Sequence, residues 1–458
     1  MPHRDHHKTS IRRDRHFASR VLAIIALGLL ASCASYSKLP LPETADLPAS
    51  LAGLHHDGVD VQAPLSVSSV ATLAVINSPD LVATRAQHGV AQAQVIAAGI
   101  LPNPQIYGFA IPAMTGPGTT AAYNVGITGD VKSLVTLSLH KRAARDAAAQ
   151  VDAQILWQEW QTIGQARLLA VDLVEGAHAQ HLLDHARDML GERSAHAQRA
   201  LAEGNTTLAT TLPDLAALQA ARAAADDMQR QQLARRHQLN ALLGLAPEAM
   251  VPLDDRLDIP PIDDGAATAA LADLGTRRPD LAALRLGYAA QDASLRADIL
   301  AQFPTISIGF IGGSDNSNTR GIGPQIYIDL PIFDRGQGKI GLGRATRQQL
   351  HDEYTARLAA ATGQVRALLR EQAQLASQHE RLRNELADTN RAARAATAAL
   401  ANHDIDERAY LDLVMTVSAK ELEILTIEKS MLDQQVALAT LIGAGLPSIT
   451  LPTDKVER

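Results

Sequence analysis

Ser78-Pro-Asp-Leu-Val-Ala-Thr-Arg85 and Arg278-Pro-Asp-Leu-Ala-Ala-Leu-Arg285 decide the reading of this chain. Pro, Asp, Leu, Ala and Arg recur at an offset of 200 residues. The register holds onward to Pro104-Gln-Ile106 and Pro304-Thr-Ile306. It persists to Leu239-Asn-Ala-Leu-Leu-Gly244 and Leu438-Ala-Thr-Leu-Ile-Gly443, where the offset is 199. Two copies with so little drift predict a duplicated architecture, and the period is too long for a short-repeat solenoid.

Each copy reads alike. A helical part comes first, near 65–100 and 267–300, with Pro79 and Pro279 at a helix start or a break. A segment of Gly, Pro and alternating residues follows, near 101–135 and 301–335. A very long helical stretch then runs near 136–203 and 340–401. It breaks at Glu203-Gly-Asn205 and Asn402-His-Asp404, and a last helix returns near 208–243 and 406–442. Gly244 and Gly443 suit the position just past a helix. About 65 residues at ~1.5 Å each give a helix of ~100 Å. Leu411, Val414, Ser418, Leu422, Leu425, Leu432 and Val436 trace a coiled-coil seam.

The Gly/Pro segments read as β-hairpins. Ile306, Ile308 and Phe310 share one face, against Thr305, Ser307 and Gly309 on the other. Ile326, Ile328 and Leu330 repeat the pattern after a polar loop, Gly312–Gly321. In the first copy, Gln105–Ile111 and Ala121–Thr128 flank a loop through Pro112. Tyr107, Phe109, Tyr123, Phe303, Phe310, Tyr327 and Phe333 lie in these segments, half of all the aromatics. Strands of ~9 residues with such alternation fit a membrane barrel. The same alternation also fits soluble hairpins packed on helices. Four strands cannot close a barrel, which takes about eight. Membrane insertion would therefore require several chains.

Composition bounds the rest. The chain has 458 residues, 46% hydrophobic, 20% charged and only 3% aromatic. That excludes a disordered chain and favours long, closely packed helices. Residues 1–20 carry six basic side chains, followed by the apolar run Val21–Ala31. Eleven residues are too short to span a bilayer and fit a signal peptide. Leu30-Ala31-Ser32-Cys33 resembles a lipobox, with Cys33, the only cysteine, as the lipidated first residue. Ala34 in place of Asp favours the outer membrane. Residues 1–32 carry six positive and two negative charges, so their removal takes the net charge from −7 to about −11. An acidic exported chain argues against nucleic acid as a partner. No other apolar run is long enough for a membrane helix. No Gly-x-Ser-x-Gly, phosphate loop or His-Glu-x-x-His occurs, so a non-enzyme without cofactor is expected.

The Pro-Asp-Leu starts, Leu330-Pro-Ile-Phe-Asp-Arg-Gly336 leading into Gly341–Ala345, Tyr410-Leu-Asp-Leu413 and the duplication resemble the outer-membrane efflux protein family. The lipoprotein branch serving resistance-nodulation-division pumps matches best, over about 65–445. The resemblance implies a mainly α fold with a small β part. A long antiparallel α-helical coiled-coil barrel would join a transmembrane β-barrel completed by trimerisation, with four strands per chain. It implies passive export of drugs, metals or other small solutes, with a periplasmic adaptor and an inner-membrane pump as partners. The expected organisation is 1–32 signal peptide, 33–64 lipidated extended segment, 65–265 first repeat, 266–445 second repeat and 446–458 tail. A secretion conduit on the same fold stays open. A periplasmic adaptor fits less well, since two equivalent hairpins replace its single one. The first copy departs at Asp130-Val-Lys-Ser-Leu134, where the second has Leu330-Pro-Ile-Phe-Asp334. Pro213 could kink or delay its return helix.

The family's tunnel end is constricted by acidic side chains. Carried over by motif, that implies Asp412, with Asp404 and Asp406 nearby and Asp214 in the first copy. A second acidic position falls on Ala409. Rings of carboxylates repel one another and attract cations. Helix capping explains an Asp at a helix start equally well. His178, His181 and His185 share a helical face that could hold a metal or simply face solvent. Trp157 and Trp160 read as packing residues.

Overall fold

The computed structural model describes residues 36–112 and 120–446. Cys33, the leader and the tail beyond 446 lie outside the described residues. Residues 36–46 form a separate irregular unit with Tyr36, Leu39 and Leu41 exposed.

From Leu47 onward, helices α1 (Val67–Asn77) and α2 (Pro79–Ala98) lead to strands β1 (Gln105–Ile111) and β2 (Ala122–Asp130). The long helix α3 (Val131–Ala202) and the return helix α4 (Leu208–Leu243) follow. The second copy has short helices α5 (Asp264–Ala270) and α6 (Leu274–Arg277), then α7 (Pro279–Ala301), β3 (Thr305–Ser314) and β4 (Arg320–Asp329). It closes with α8 (Gln337–Ala401) and α9 (Glu407–Ile442).

Both Pro-Asp-Leu motifs open helices. Pro79 and Pro279 occupy first-turn positions, where a missing N–H leaves no bond unmade, and Asp80 and Asp280 favour the positive end. α1 and α2 meet there at 49°. Among the described residues no single helix is long and apolar enough to cross a membrane.

The strand-to-helix corners solve one problem with different residues. Asp130 ends β2 and caps α3 directly, accepting from Lys132 N at 2.8 Å and Ser133 Oγ at 2.6 Å. In the second copy Asp334 accepts from Gly336 N at 2.8 Å, and Gly336 turns with φ 74°. Pro213 neither delays nor ends α4, which begins at Leu208 and runs through it.

The four strands make one antiparallel sheet in the order β1-β2-β3-β4. β2 and β3 join the copies, pairing Val125 with Gly312 and Ile127 with Phe310. β1 and β4 are left as its two edges. The helices pack side by side in the order α4-α3-α9-α8. α3 buries nineteen side chains or glycines along its length, while α8 buries only four over 65 residues. α3 is therefore an inner stave and α8 an open edge.

The largest apolar cluster gathers Leu51, Leu65, Leu73, Leu169, Leu239 and Leu243, where the 47–65 segment and α1 lie on α3 and α4. Each buried leucine contributes roughly 1.5–3 kcal/mol. The counterpart under α5 joins Ala270, Val365, Leu438 and Ile442. Trp160 donates from Nε1 to Thr440 O at 3.0 Å, and Trp157 lies 4.8 Å under the Arg278 guanidinium. Both tryptophans thus fasten α3 to the second copy.

Candidate functional site

The sheet has two unlike faces. Ile106, Val125, Ile127, Ile306, Ile308, Phe310, Ile322, Ile326 and Ile328 cover one, and all are exposed. The other carries Gln105, Thr128, Asn124, Ser307 and Gln325, with Gly126, Gly309, Gly313 and Gly323 between them. β1 departs from strict alternation, since Phe109 and Ile111 lie on the polar side. A wide apolar face exposed on every strand is out of place in water and at home in lipid.

At the opposite end of the helices a charged cluster joins three staves. Arg193 on α3 reaches Asp214 on α4 at 2.6 Å and Asp412 on α9 at 2.7 Å. Asp214 is buried there and Arg193 nearly so, whereas the Asp412 side chain is 63% exposed. Burial disfavours the Arg193 cation, but the bonds to Asp214 and Asp412 outweigh it and hold its pKa above the usual arginine value. Arg408 approaches Asp214 at 3.6 Å and donates to Thr210 O at 3.4 Å. His196 and Glu407 lie 4.0 Å apart at the rim.

The predicted acidic residues therefore separate into two kinds. Asp412 and Asp214 are brought together, but through an arginine rather than as free carboxylates. Asp406 caps α9, accepting from Ala409 N at 2.7 Å. Asp404 is exposed in the turn. Arg193 is the functional candidate that the sequence reading passed over. No motif marks it. The only signal is its spacing of three heptads from Asp172 on the same helix, which acquires meaning once the staves are known.

Residues 271–444 match the outer membrane efflux protein family. Three solved structures share the whole architecture. The open Neisseria gonorrhoeae MtrE outer membrane channel is 18% identical with a TM-score of 0.67, over 92% of this chain and 99% of that one. A Pseudomonas aeruginosa membrane protein is 19% identical with a TM-score of 0.69, over 90% and 98%. The Campylobacter jejuni CmeC outer membrane channel is 14% identical with a TM-score of 0.66, over 90% and 95%. The second copy of the repeat thus resembles the outer membrane efflux protein family, and the chain shares the fold of these structures. No curated protein sequence matches it.

The MtrE and CmeC neighbours are outer membrane channels. In this chain a second charged cluster crosses the same three staves. Asp172 on α3 binds Arg235 on α4 at 3.0 Å and Lys429 on α9 at 2.5 Å. Lys429 also binds Asp433 at 2.6 Å. Burial opposes the Lys429 cation, yet Asp172 and Asp433 keep its pKa above the ordinary lysine value. Burial pushes the Asp433 carboxyl upward, against the pull of Lys429. The histidine face meets α9 instead, where His178 and His181 share a groove with Glu421 and Glu428. His178 lies 3.5 Å from Glu175. Among the described residues no group of three or more ligating side chains is placed to hold a metal.

Proposed function

We propose that this chain is the outer-membrane channel of a tripartite efflux system. It assembles as a homotrimer, is anchored by lipid on Cys33, and conducts small solutes passively from a periplasmic adaptor and an inner-membrane pump. The observation that carries this reading is the pair of unlike free edges in each layer. β1 and β4 flank the sheet, and α4 and α8 flank the helices. Pairing each edge with the other kind on the next copy makes a head-to-tail ring. One chain's four strands cannot enclose a bore; three chains supply twelve, enough for a water-filled one. The glycine-rich polar face then lines the bore and the isoleucine face meets lipid.

Asp214 and Asp412 act as the gate through Arg193. While the three are bonded, α4, α3 and α9 are held together at the tunnel end. Release of Arg193 frees the return helices to move apart. Asp404 and Asp406 serve the turn and the cap beside it.

Purified protein in detergent should have the mass of a trimer and give discrete openings in planar bilayers. A monomer with no conductance contradicts the channel. Mass spectrometry of the mature N-terminus tests the lipid, and an unmodified Cys33 contradicts the anchor.

A further inference from the structure

Tyr107 stands on β1 and Gln325 on β4, the two edges of the sheet. Two strands separate them, yet the Tyr107 hydroxyl donates to Gln325 Oε1. The path between them is cleared by glycine. Gly126 is the β2 partner of Tyr107, and a Cβ there would run into the tyrosine ring. Gly309 is the β3 partner of Gln325, and a Cβ there would strike the backbone of Ile127. Neighbouring strands lie about 4.8 Å apart, so a flat sheet would put β1 and β4 roughly 14 Å apart. Two side chains meet across that span only when the sheet is bowed towards them.

We infer that Tyr107 and Gln325 form a strut across the polar face that fixes the curvature of each chain's sheet, and so the bore of the assembled β-barrel. This rests on the channel reading for its consequence, though not for the strut itself. The bore of a barrel follows from its strand number and from how the strands tilt and close. The strut acts on the second with the first held constant. Its removal lets the sheet relax towards flatness and widens the pore. Tyr107 and Gln325 thereby become size-determining residues at the outer-membrane end, apart from the helix-end cluster.

The test is a double-mutant cycle on the full-length assembled protein with Tyr107→Phe, Gln325→Leu and the pair. Tyr107→Phe removes one oxygen and leaves the packing in place. The first readout is the thermal midpoint of the oligomer. The strut predicts that each single variant lowers it and that the double variant lowers it no further. The second is single-channel conductance together with the largest poly(ethylene glycol) that enters the pore. The strut predicts a rise in both, equal in the two single variants and unchanged in the double. Additive midpoint shifts, or unaltered conductance and polymer cut-off beside a normally conducting wild type, overturn the inference. A wild type that never conducts sinks the channel reading instead, and the strut is then judged on the midpoint cycle alone.

Discussion

The two charged clusters on the α4-α3-α9 seam are charge-inverted copies of each other. At the helix ends a base on α3, Arg193, sits between two acids, Asp214 and Asp412. Halfway along, an acid on α3, Asp172, sits between two bases, Arg235 and Lys429. Asp172 and Arg193, and Asp214 and Arg235, are each twenty-one residues apart, while on α9 Lys429 lies seventeen residues from Asp412. Three heptads thus separate the levels on α3 and α4, roughly 32 Å at ~1.5 Å per residue. Sliding a stave by that distance would set Asp214 against Asp172, so the inversion penalises the wrong register as well as stabilising the right one.

What differs is closure. Each cluster has a fourth charge, Asp433 beside Lys429 and Arg408 near Asp214. The end cluster leaves Asp412 mostly in solvent and sits one helical turn or two from a loop. The first arrangement is a staple and the second a clasp. In the clasp the exposed Asp412 arm exchanges readily with water, while the nearly buried Arg193–Asp214 pair is costly to break by removing one partner.

The largest effect is expected at the staple. Lys429→Met leaves Asp172 with Arg235 alone and Asp433 without its nearest cation, and should lower stability by roughly 3 kcal/mol, since both Lys429 and Asp433 keep about a third of their side chains exposed. Thermal unfolding of the oligomer measures it, and channel opening should be unaffected at permissive temperature. Arg193→Ala comes next. It leaves the buried Asp214 with only the longer contact to Arg408 at 3.6 Å, a local penalty of about 2 kcal/mol, which raises the open fraction by about 30-fold with little change in midpoint. Asp412→Ala removes the exposed arm of the clasp, worth about 1 kcal/mol or less, a rise of several-fold at most.

The staple also has a pH signature. The folded pKa of Lys429 is raised, so its contribution is complete below the ordinary lysine value and is lost as pH climbs through the raised one. The folded pKa of Asp433 is also raised. Its penalty therefore grows as pH rises above the ordinary aspartate value and is constant once the group is ionised. Melting curves should show a flat midpoint through neutrality and a fall only in alkali. Lys429→Met should make that alkaline fall smaller. The smallest effect belongs to the turns. His403 adopts φ 61° where the first copy has Gly204 at φ 74°. His403→Gly should raise the midpoint by an amount equivalent to about 1 kcal/mol or less.

Much of this was legible in the residues. The duplication, the hairpins and the long staves follow from an offset of 200, from Ile306-Ser-Ile308 alternation and from uninterrupted helical runs. The acidic positions were legible only as types. A capping aspartate and a clasp aspartate look the same in sequence, and Asp406 proved to be the first while Asp412 met an arginine. Arg193 was illegible because its partners lie 21 and 219 residues away on other helices. Tyr107 was read as one of several strand aromatics, since nothing local says that it reaches across two glycines to Gln325.

The contrast between clasp and staple is tested most directly by recording single channels of Arg193→Ala and Lys429→Met beside the wild type. The account predicts long-lived openings in Arg193→Ala and wild-type gating in Lys429→Met despite its lower melting point. Wild-type gating in Arg193→Ala, or openings of equal length in both variants, would contradict it.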